Sequence, residues 1–600
     1  MTASYGLAKK VEAAALTCAL VLAMSPAAAL AAGMGDMGGG DMGGGMSDSD
    51  MGGGSGGGGA DTMTFDYSGS YTGAIEADGT DVSSDGESYD ASTSDQNAAL
   101  AQNGGSLTLA NVTLTKSGDD NDGDNCNFYG VNSIVLAVGE ESTITLADSV
   151  LSATSEGSNG VFATDSATVY VTNTSISTSS DNSRGLDATY GGTIVASAMT
   201  IATQGSHCAG VATDRGGGYV SLSDATITTA GEGSPILYST GDVEVSGVTG
   251  TTTGSQLCGM EGLNTILIND STLTSTVTGK TASDPIANGV IIYQSTSGDA
   301  EASTGETATF QVASSTLSSA IESGAMFYIT NTTADIVLYD TTLDFDSDAA
   351  NLILAAGNDS NSWGSAGSNG GIVTVTTIQQ EMSGVIEADT ISSVELYLTN
   401  GSTWTGYTLI SENDTSSTSD EPICVNIDET SAWVVTESCT LSSLTVADGG
   451  QVVDASGNTV TIVANGSTVV EGTSDITVTV DSYSTDYDSS AAGTLSEDLI
   501  DRSDFDDTFG TETTWVMGES STQTAAEEET TEVEDTVEEE LVEEETEEET
   551  VEEDSEEEET TEEEETEADT EEEEDETSSN PIIAFFQSIW AWFKSLFGWD

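Results

Sequence analysis

Apolar and polar residues alternate in short bursts along the middle of the chain, and the bursts recur. TITLADSVL (143–151), TVYVTNTSI (168–176), TIVASAMTI (193–201) and YVSLSDATI (219–227) align without gaps. Ile144, Val169, Ile194 and Val220 form one apolar column of that alignment. Leu146, Val171, Ala196 and Leu222 form a second, and Leu151, Ile176, Ile201 and Ile227 a third. NGVFA (159–163), RGLDA (184–188) and AGVAT (209–213) repeat in step. Apolar positions two apart mark a strand with one face turned inward. Self-similarity at a fixed period marks a solenoid, in which each unit buries its apolar face against its neighbours. The expected fold is all-β: a right-handed parallel β-helix solenoid, one coil per repeat.

The period places the boundaries. First-column residues are spaced by 25, 25, 26, 23 and 23 from Ile144 to Ile266. FQVASSTL (310–317) and IVLYDTTL (336–343) resume the pattern, so the stretch around 278–308 is expected to leave the rod. The clear coils occupy 104–371, preceded over 61–103 by a cap and first strands that close the open end of the core. Over 372–490 the repeats become irregular, and both further coils and a C-terminal β cap fit them. There Trp404 and Trp433 fall in step. Asn111, Asp148, Asn173, Asp224, Asp270 and Asp340 each stand three residues before a Leu or Ile, as expected of a corner in left-handed backbone geometry.

The ends are different material. Residues 1–32 carry Lys9 and Lys10, a short apolar run and Ala29-Leu30-Ala31, the pattern of an export signal. Residues 33–60 are a Gly/Met-rich linker; five methionines there could hold Cu(I), although glycine tracts preorganise nothing. Residues 491–579 read as an acidic disordered linker, with 35 Asp or Glu and no Lys or Arg over 519–579. Residues 580–600 reverse that character, and Ile583, Phe586, Trp590, Phe593 and Phe597 lie on the apolar side of an amphipathic aromatic helix. Such a helix suits anchoring in a membrane interface; a short spanning segment and docking on another protein are the alternatives.

The charge narrows the partners. Against 104 acidic residues the chain has 8 basic ones. Nucleic acid is excluded, because phosphate binding needs Lys and Arg. Neutral glycans, surface proteins and divalent cations remain. Asp119, Asp120, Asp122 and Asp124 resemble a Ca²⁺ loop in composition but not in spacing, so a loosely held Ca²⁺ competes with a plain solvated loop; no other cofactor is expected. After export Cys126, Cys208, Cys258, Cys424 and Cys439 remain. Cys424–Cys439 is the best disulfide candidate, with buried free thiols the alternative. Cys208 and Cys258, two coils apart, are too distant to bond.

Catalysis on such a rod requires carboxylates beside a cation on one outer face. Lys116, Arg184, Arg215 and Lys280 are the cations of the clear coils, and the chain's one histidine is His207. Asp165, Tyr190 and Arg215 share a column with Asp187 and Asp214 nearby, which makes Asp187, Asp214 and Arg215 the candidate catalytic patch. Exposed turn residues that solubilise the rod are the competing explanation.

SDNSRGLDATYGGTIVASAMTIATQGSHCAGVATDRGG (180–217) and GSPILYSTGDVEVSGVTG (233–250) resemble the coils of bacterial surface proteins with the pectin-lyase-like β-helix, including adhesin-like and autotransporter-passenger repeats. That resemblance spans about 104–470. It implies a secreted, extracellular, monomeric rod at the cell surface. Polygalacturonase and pectate-lyase active-site motifs do not occur in the chain, nor does an LPxTG-type sorting signal. The expected function is a non-catalytic surface stalk contacting glycan or host or cell-surface protein and held to a membrane or envelope by the C-terminal helix. A polysaccharide lyase or hydrolase on the same scaffold is the alternative.

Overall fold

The computed structural model describes residues 63–520 and 522–525, except 301–306, 361–362, 414–418 and 420. The expected export signal, the Gly/Met-rich linker, most of the acidic tail and the aromatic helix with Ile583, Phe586, Trp590, Phe593 and Phe597 lie outside the described residues.

The chain winds into a parallel β-helix with three sheets. One coil supplies Val161–Thr164 to sheet A, Thr168–Thr172 to sheet B and Ser175–Thr178 to sheet C. Sheet A has 13 strands, from Gly73–Asp78 to Thr408–Ser411, and sheet C has 10, from Ser88–Ala91 to Thr342–Asp344. Every pairing within these two sheets is parallel, with equivalent coil positions in register. Ile144, Val169, Ile194 and Val220 stack directly, as do Leu146, Val171, Ala196 and Leu222 in the same sheet B. Leu151, Ile176, Ile201 and Ile227 stack in sheet C. All twelve side chains are buried, which makes them the rod's interior.

Polar groups line the same interior where turns need partners. Thr178, Thr203 and Thr229 lie one above another and donate, each at 2.6 Å, to the carbonyls of Ser183, Cys208 and Ser234. A second ladder relays between coils: Ser158 N–H donates to Ser183 Oγ, Ser183 N–H to Cys208 Sγ and Cys208 N–H to Ser234 Oγ. Cys208 thus does a serine's work, while Cys258 is a small hydrophobe stacked between Leu237 and Val290. Buried main-chain donors must find acceptors, and these ladders supply them where sheet pairing stops.

The corner column adopts the geometry expected of it. Asn111, Asp148, Asn173, Asp224, Asp270 and Asp340 have φ between +41° and +53°. Asn173 donates to Asp148 at 2.5 Å. Ala198 occupies the same corner at φ +54°, without a side chain suited to it.

One stretch departs from the sequence reading, and another combines the two alternatives it left open. The segment around 278–308 does not leave the rod throughout, because Asn288–Tyr293 is a sheet A strand between Cys258–Glu261 and Ala325–Thr330. All six of its residues are buried, so the run carries no alternation. From 372 onward the coils continue, and Trp404 and Trp433 pair in a four-stranded sheet with ring centroids 4.8 Å apart and planes 9° from parallel. The antiparallel hairpin Thr461–Ala464/Ser467–Val470 and the strand Thr477–Ser484 then close the end.

The expectation of a disordered acidic linker from residue 491 is corrected over 491–520. Residues 491–520 lie along the outside of sheet B as a strap. Gly493 N–H donates to Thr376, Ser496 N–H to Gln311 and Ile500 N–H to Glu244. Helix α2 (Ser503–Phe509) then seats the fully buried Phe505 against Tyr170. The strap returns to Asn269, which accepts from Gly518 N–H and donates to the Glu519 carbonyl.

Candidate functional site

The middle of sheet A's outward face is largely buried as well. Its central outward column runs Leu100, Leu136, Phe162, Asp187, Ala212, Tyr238, Gly259, Ile291 and Tyr328. Leu100, Phe162, Asp187, Ala212 and Ile291 have no exposed surface. Phe65 and Tyr71 from the first described residues pack on Leu100, Leu136 and Phe162, and Trp363 covers Ile291 and Tyr328. Between these covers, helix α1 (Gly123–Tyr129) contributes Asn127 and Phe128.

A charged cluster sits in that apolar column. Arg184 donates to Asp214 at 2.9 Å and to Asn127 at 2.9 Å, and its Nε lies 3.6 Å from Asp187. Arg215 instead pairs with Asp299 at 2.5 Å and lies 3.6 Å above the Phe128 ring. The expected patch therefore divides. Asp187 and Asp214 share Arg184, which was not part of the expected patch, while Arg215 ties down the loop that carries Asp299.

Burial decides the protonation. Asp187 is 0% exposed, and neither of its carboxylate oxygens has a hydrogen-bond partner. Desolvation raises its pKa against the pull of Arg184, and the Asp214 charge adds to the rise. Asp214 is raised by desolvation too, again against Arg184. One guanidinium cannot neutralise two carboxylates in a dry site, so burial holds both Asp187 and Asp214 toward the protonated form against the pull of Arg184.

Two buried carboxyl groups sharing one guanidinium are the raw material of an acid–base pair. Access is what this pair lacks: Asp187 is closed off, and Asp214 and Arg184 are 6% and 9% exposed. The expectation of exposed turn residues is corrected for the same reason, because the sequence showed the column but not its covers. The cluster bolts α1 to the coils through Asn127–Arg184–Asp214.

Aromatic rings extend the cover. Tyr129 stacks on Tyr190 at 5.5 Å and 5°, Phe65 meets both edge-on, and Tyr67 stacks on Tyr129 at 5.2 Å. A separate buried knot joins Glu261 to Tyr238 and Ser295, with Tyr293 close by. Lys116, also buried, donates to the Gly118 and Thr93 carbonyls, and burial lowers its pKa to about 8.

The acidic insertion has structural tasks. Asp122 caps α1 by accepting from Asp124 N–H, and Asp119 accepts from Glu156 N–H. Asp120 lies beside the buried Cys126 thiol. Among the described residues no three His, Cys, Asp or Glu side chains converge to hold a metal ion. The disulfide expectation is corrected. Cys424 stands opposite Ser443, four residues along the same strand from Cys439, and both thiols are free. Four residues of strand span about 13 Å, beyond the reach of a disulfide.

Sheet C carries a contrasting surface. Its two outward columns on the inner eight strands are Thr113, Val150, Ser175, Thr200, Thr226, Thr249, Thr272 and Thr316, and Thr115, Ser152, Ser177, Ala202, Thr228, Thr251, Thr274 and Ser318. Neither column contains a charge; Asp90 and Asp344 stand only on the two end strands. Thr200, Thr226, Thr249 and Thr272 are exposed. Beside them a shallow hollow of about 300 Å³ is lined by Asp148, Asn173, Ser175 and Thr200. No protein-family model, curated protein or solved structure matches the chain.

Proposed function

We propose that this protein is an exported, cell-surface β-helical stalk that adheres through the outer face of sheet C, without catalysis. The supporting observation is the contrast between faces. Sheet A is covered along its acid–arginine column and sheet B by the strap, whereas sheet C leaves a flat, uncharged lattice of hydroxyls in a chain of net charge −96. A neutral glycan is the partner class that fits, because it offers many hydroxyls and no charge for the rod to repel. A host or cell-surface protein with a polar face is the other. The resemblance of the coils to pectin-lyase-like adhesins and autotransporter passengers supports the same reading, as do the export pattern and the aromatic C-terminal segment.

The test is binding of the full secreted chain to immobilised neutral glycans and surface proteins. Thr226→Glu with Thr249→Glu should weaken binding at least tenfold while leaving circular dichroism unchanged. Unchanged binding would sink the assignment to sheet C. Release of reducing sugar from any glycan, lost in Asp187→Asn, would replace the stalk by the hydrolase or lyase reading.

A further inference from the structure

The strap meets sheet B acid to acid. Beneath it the outward column of the sheet runs Tyr170, Val195, Ser221, Glu244, Leu267, Gln311, Val337 and Thr376. From Val195 to Thr376 every member is buried. Glu244 lies at the centre, 2% exposed, and both its carboxylate oxygens accept from the single Ile500 N–H, at 3.1 and 3.0 Å. Ser221 and Leu267 flank it in the adjoining coils and carry no charge. Its own strand supplies Asp242, and the strap supplies Asp498 and Arg502. Asp224, at the neighbouring corner, also feels Arg502.

Arg502 is the strap's only cation, and its guanidinium is committed elsewhere. It donates to the Ser221 and Ala196 carbonyls and to the Ser221 and Ser223 hydroxyls, 2.9–3.2 Å away. Among the described residues no carboxylate lies within ion-pairing distance of it. Glu244 therefore faces Asp242 and Asp498 with one main-chain N–H as its direct partner.

We propose that residues 491–520 are an acid-tightened clasp, which grips sheet B while Glu244 is protonated and loosens as Glu244 ionises. Released from the strap, Glu244 returns to water and to an ordinary carboxylate pKa. Under the strap, desolvation, reinforced by Asp242 and Asp498, pushes that pKa up to about 8, against Ile500 N–H and Arg502. Between the two values the closed form holds a proton that the open form has lost. Each pH unit across that window loosens the clasp by up to about tenfold, and the effect stops above about pH 8. Opening lifts Leu499, Phe505 and Met517 from the rod and bares Val195, Leu267 and Val337.

Hydrogen exchange on the full chain, with rates corrected for intrinsic pH dependence, reads the clasp directly. Amides of 496–510 should exchange at least tenfold faster at about pH 8 than at about pH 5.5. Thr143–Ala147, a sheet B strand one coil beyond Tyr170, should not change. Glu244→Gln keeps an acceptor for Ile500 and removes the titration, so it should abolish most of the difference; Asp498→Asn, on the strap itself, should reduce it. Equal protection at both pH values overturns the proposal. So does a loss shared by Thr143–Ala147, which reports global unfolding, and so does a pH response that Glu244→Gln leaves intact.

Discussion

Arg502 donates to the main-chain carbonyl of Ala196, 306 residues earlier in the chain, at 3.0 Å. The bond sits beneath Phe505 and Trp515, whose rings lie 4.9 and 5.9 Å from the guanidinium carbon. Replacing Arg502 by Ala leaves the Ser221 and Ala196 carbonyls short of a donor, each worth about 1–3 kcal/mol when buried. Arg502→Ala should therefore detach α2 while the coils stay folded. Exchange of 498–510 at a fixed acidic pH reads the outcome; unchanged protection there would show that Arg502 holds nothing.

Trp404 and Trp433 test the end of the rod. Both are fully buried, and their indole N–H groups donate at 3.0 Å to the Gly384 and Gly406 carbonyls. Either Trp→Ala change should cost about 3–5 kcal/mol in urea unfolding. The double variant should cost less than the sum by about 0.5–1.5 kcal/mol, the share of the ring–ring contact.

Buried carboxylates give the rod an unusual pH profile. Desolvation raises Glu244 to about 8 and, opposed by Asn288 and Lys280, Asp284 to about 7; Asp187 shifts the same way. The unfolded chain ionises these groups near pH 4, while the folded chain keeps their protons. Folded molecules bind more protons throughout the interval, so stability falls as pH rises from about 4 to about 8, by up to about 1.4 kcal/mol per group and pH unit. Thermal midpoints should climb from pH 8 to pH 5, and Asp187→Asn should flatten part of that slope. A midpoint that falls on acidification across this interval would contradict the assignment.

The thiols separate by task. Cys208→Ser should cost less than about 1 kcal/mol, because a hydroxyl can accept from Ser183 N–H as the sulfur does. Cys208→Ala removes that acceptor and should cost about 1–3 kcal/mol. A reducing agent should leave the thermal midpoint unchanged, since all five described cysteines are free.

Ala198 is the misfit of its corner. Ala198→Asn tolerates φ +54° and adds a side chain in line with Asn173, so it should raise stability by about 0.5–1 kcal/mol in urea unfolding.

The rod was legible because parallel stacking in register writes one coil's needs onto the next. Ile144, Val169 and Ile194 occupy equivalent sequence positions because they occupy equivalent positions in space. Covers leave no such trace. Asp187 sits where an outward residue belongs, and it is dry because Arg184, itself held by Asn127 from the unrepeated helix α1, lies over the column there. The strap was hidden by composition, because Asp498, Asp501 and Asp504 match the tail beyond it. Arg502, a lone cation beside the aromatics Phe505 and Phe509 in an acidic run, was the available sign of docking. Cys424 and Cys439 misled because a spacing of 15 says nothing about how far apart along neighbouring strands two residues fall.

The last described strand, Thr522–Ala525, pairs back onto Thr511–Thr514, which contacts α2 beside Tyr170. The chain therefore departs from the flank of the cylinder, many coils from its capped end near Thr477–Ser484. At that point the strap is joined to the coils by Arg502, the buried Phe505 and a few main-chain bonds, whereas each coil is held by a full ladder on both sides, so peeling of the strap comes before any unwinding of the stack.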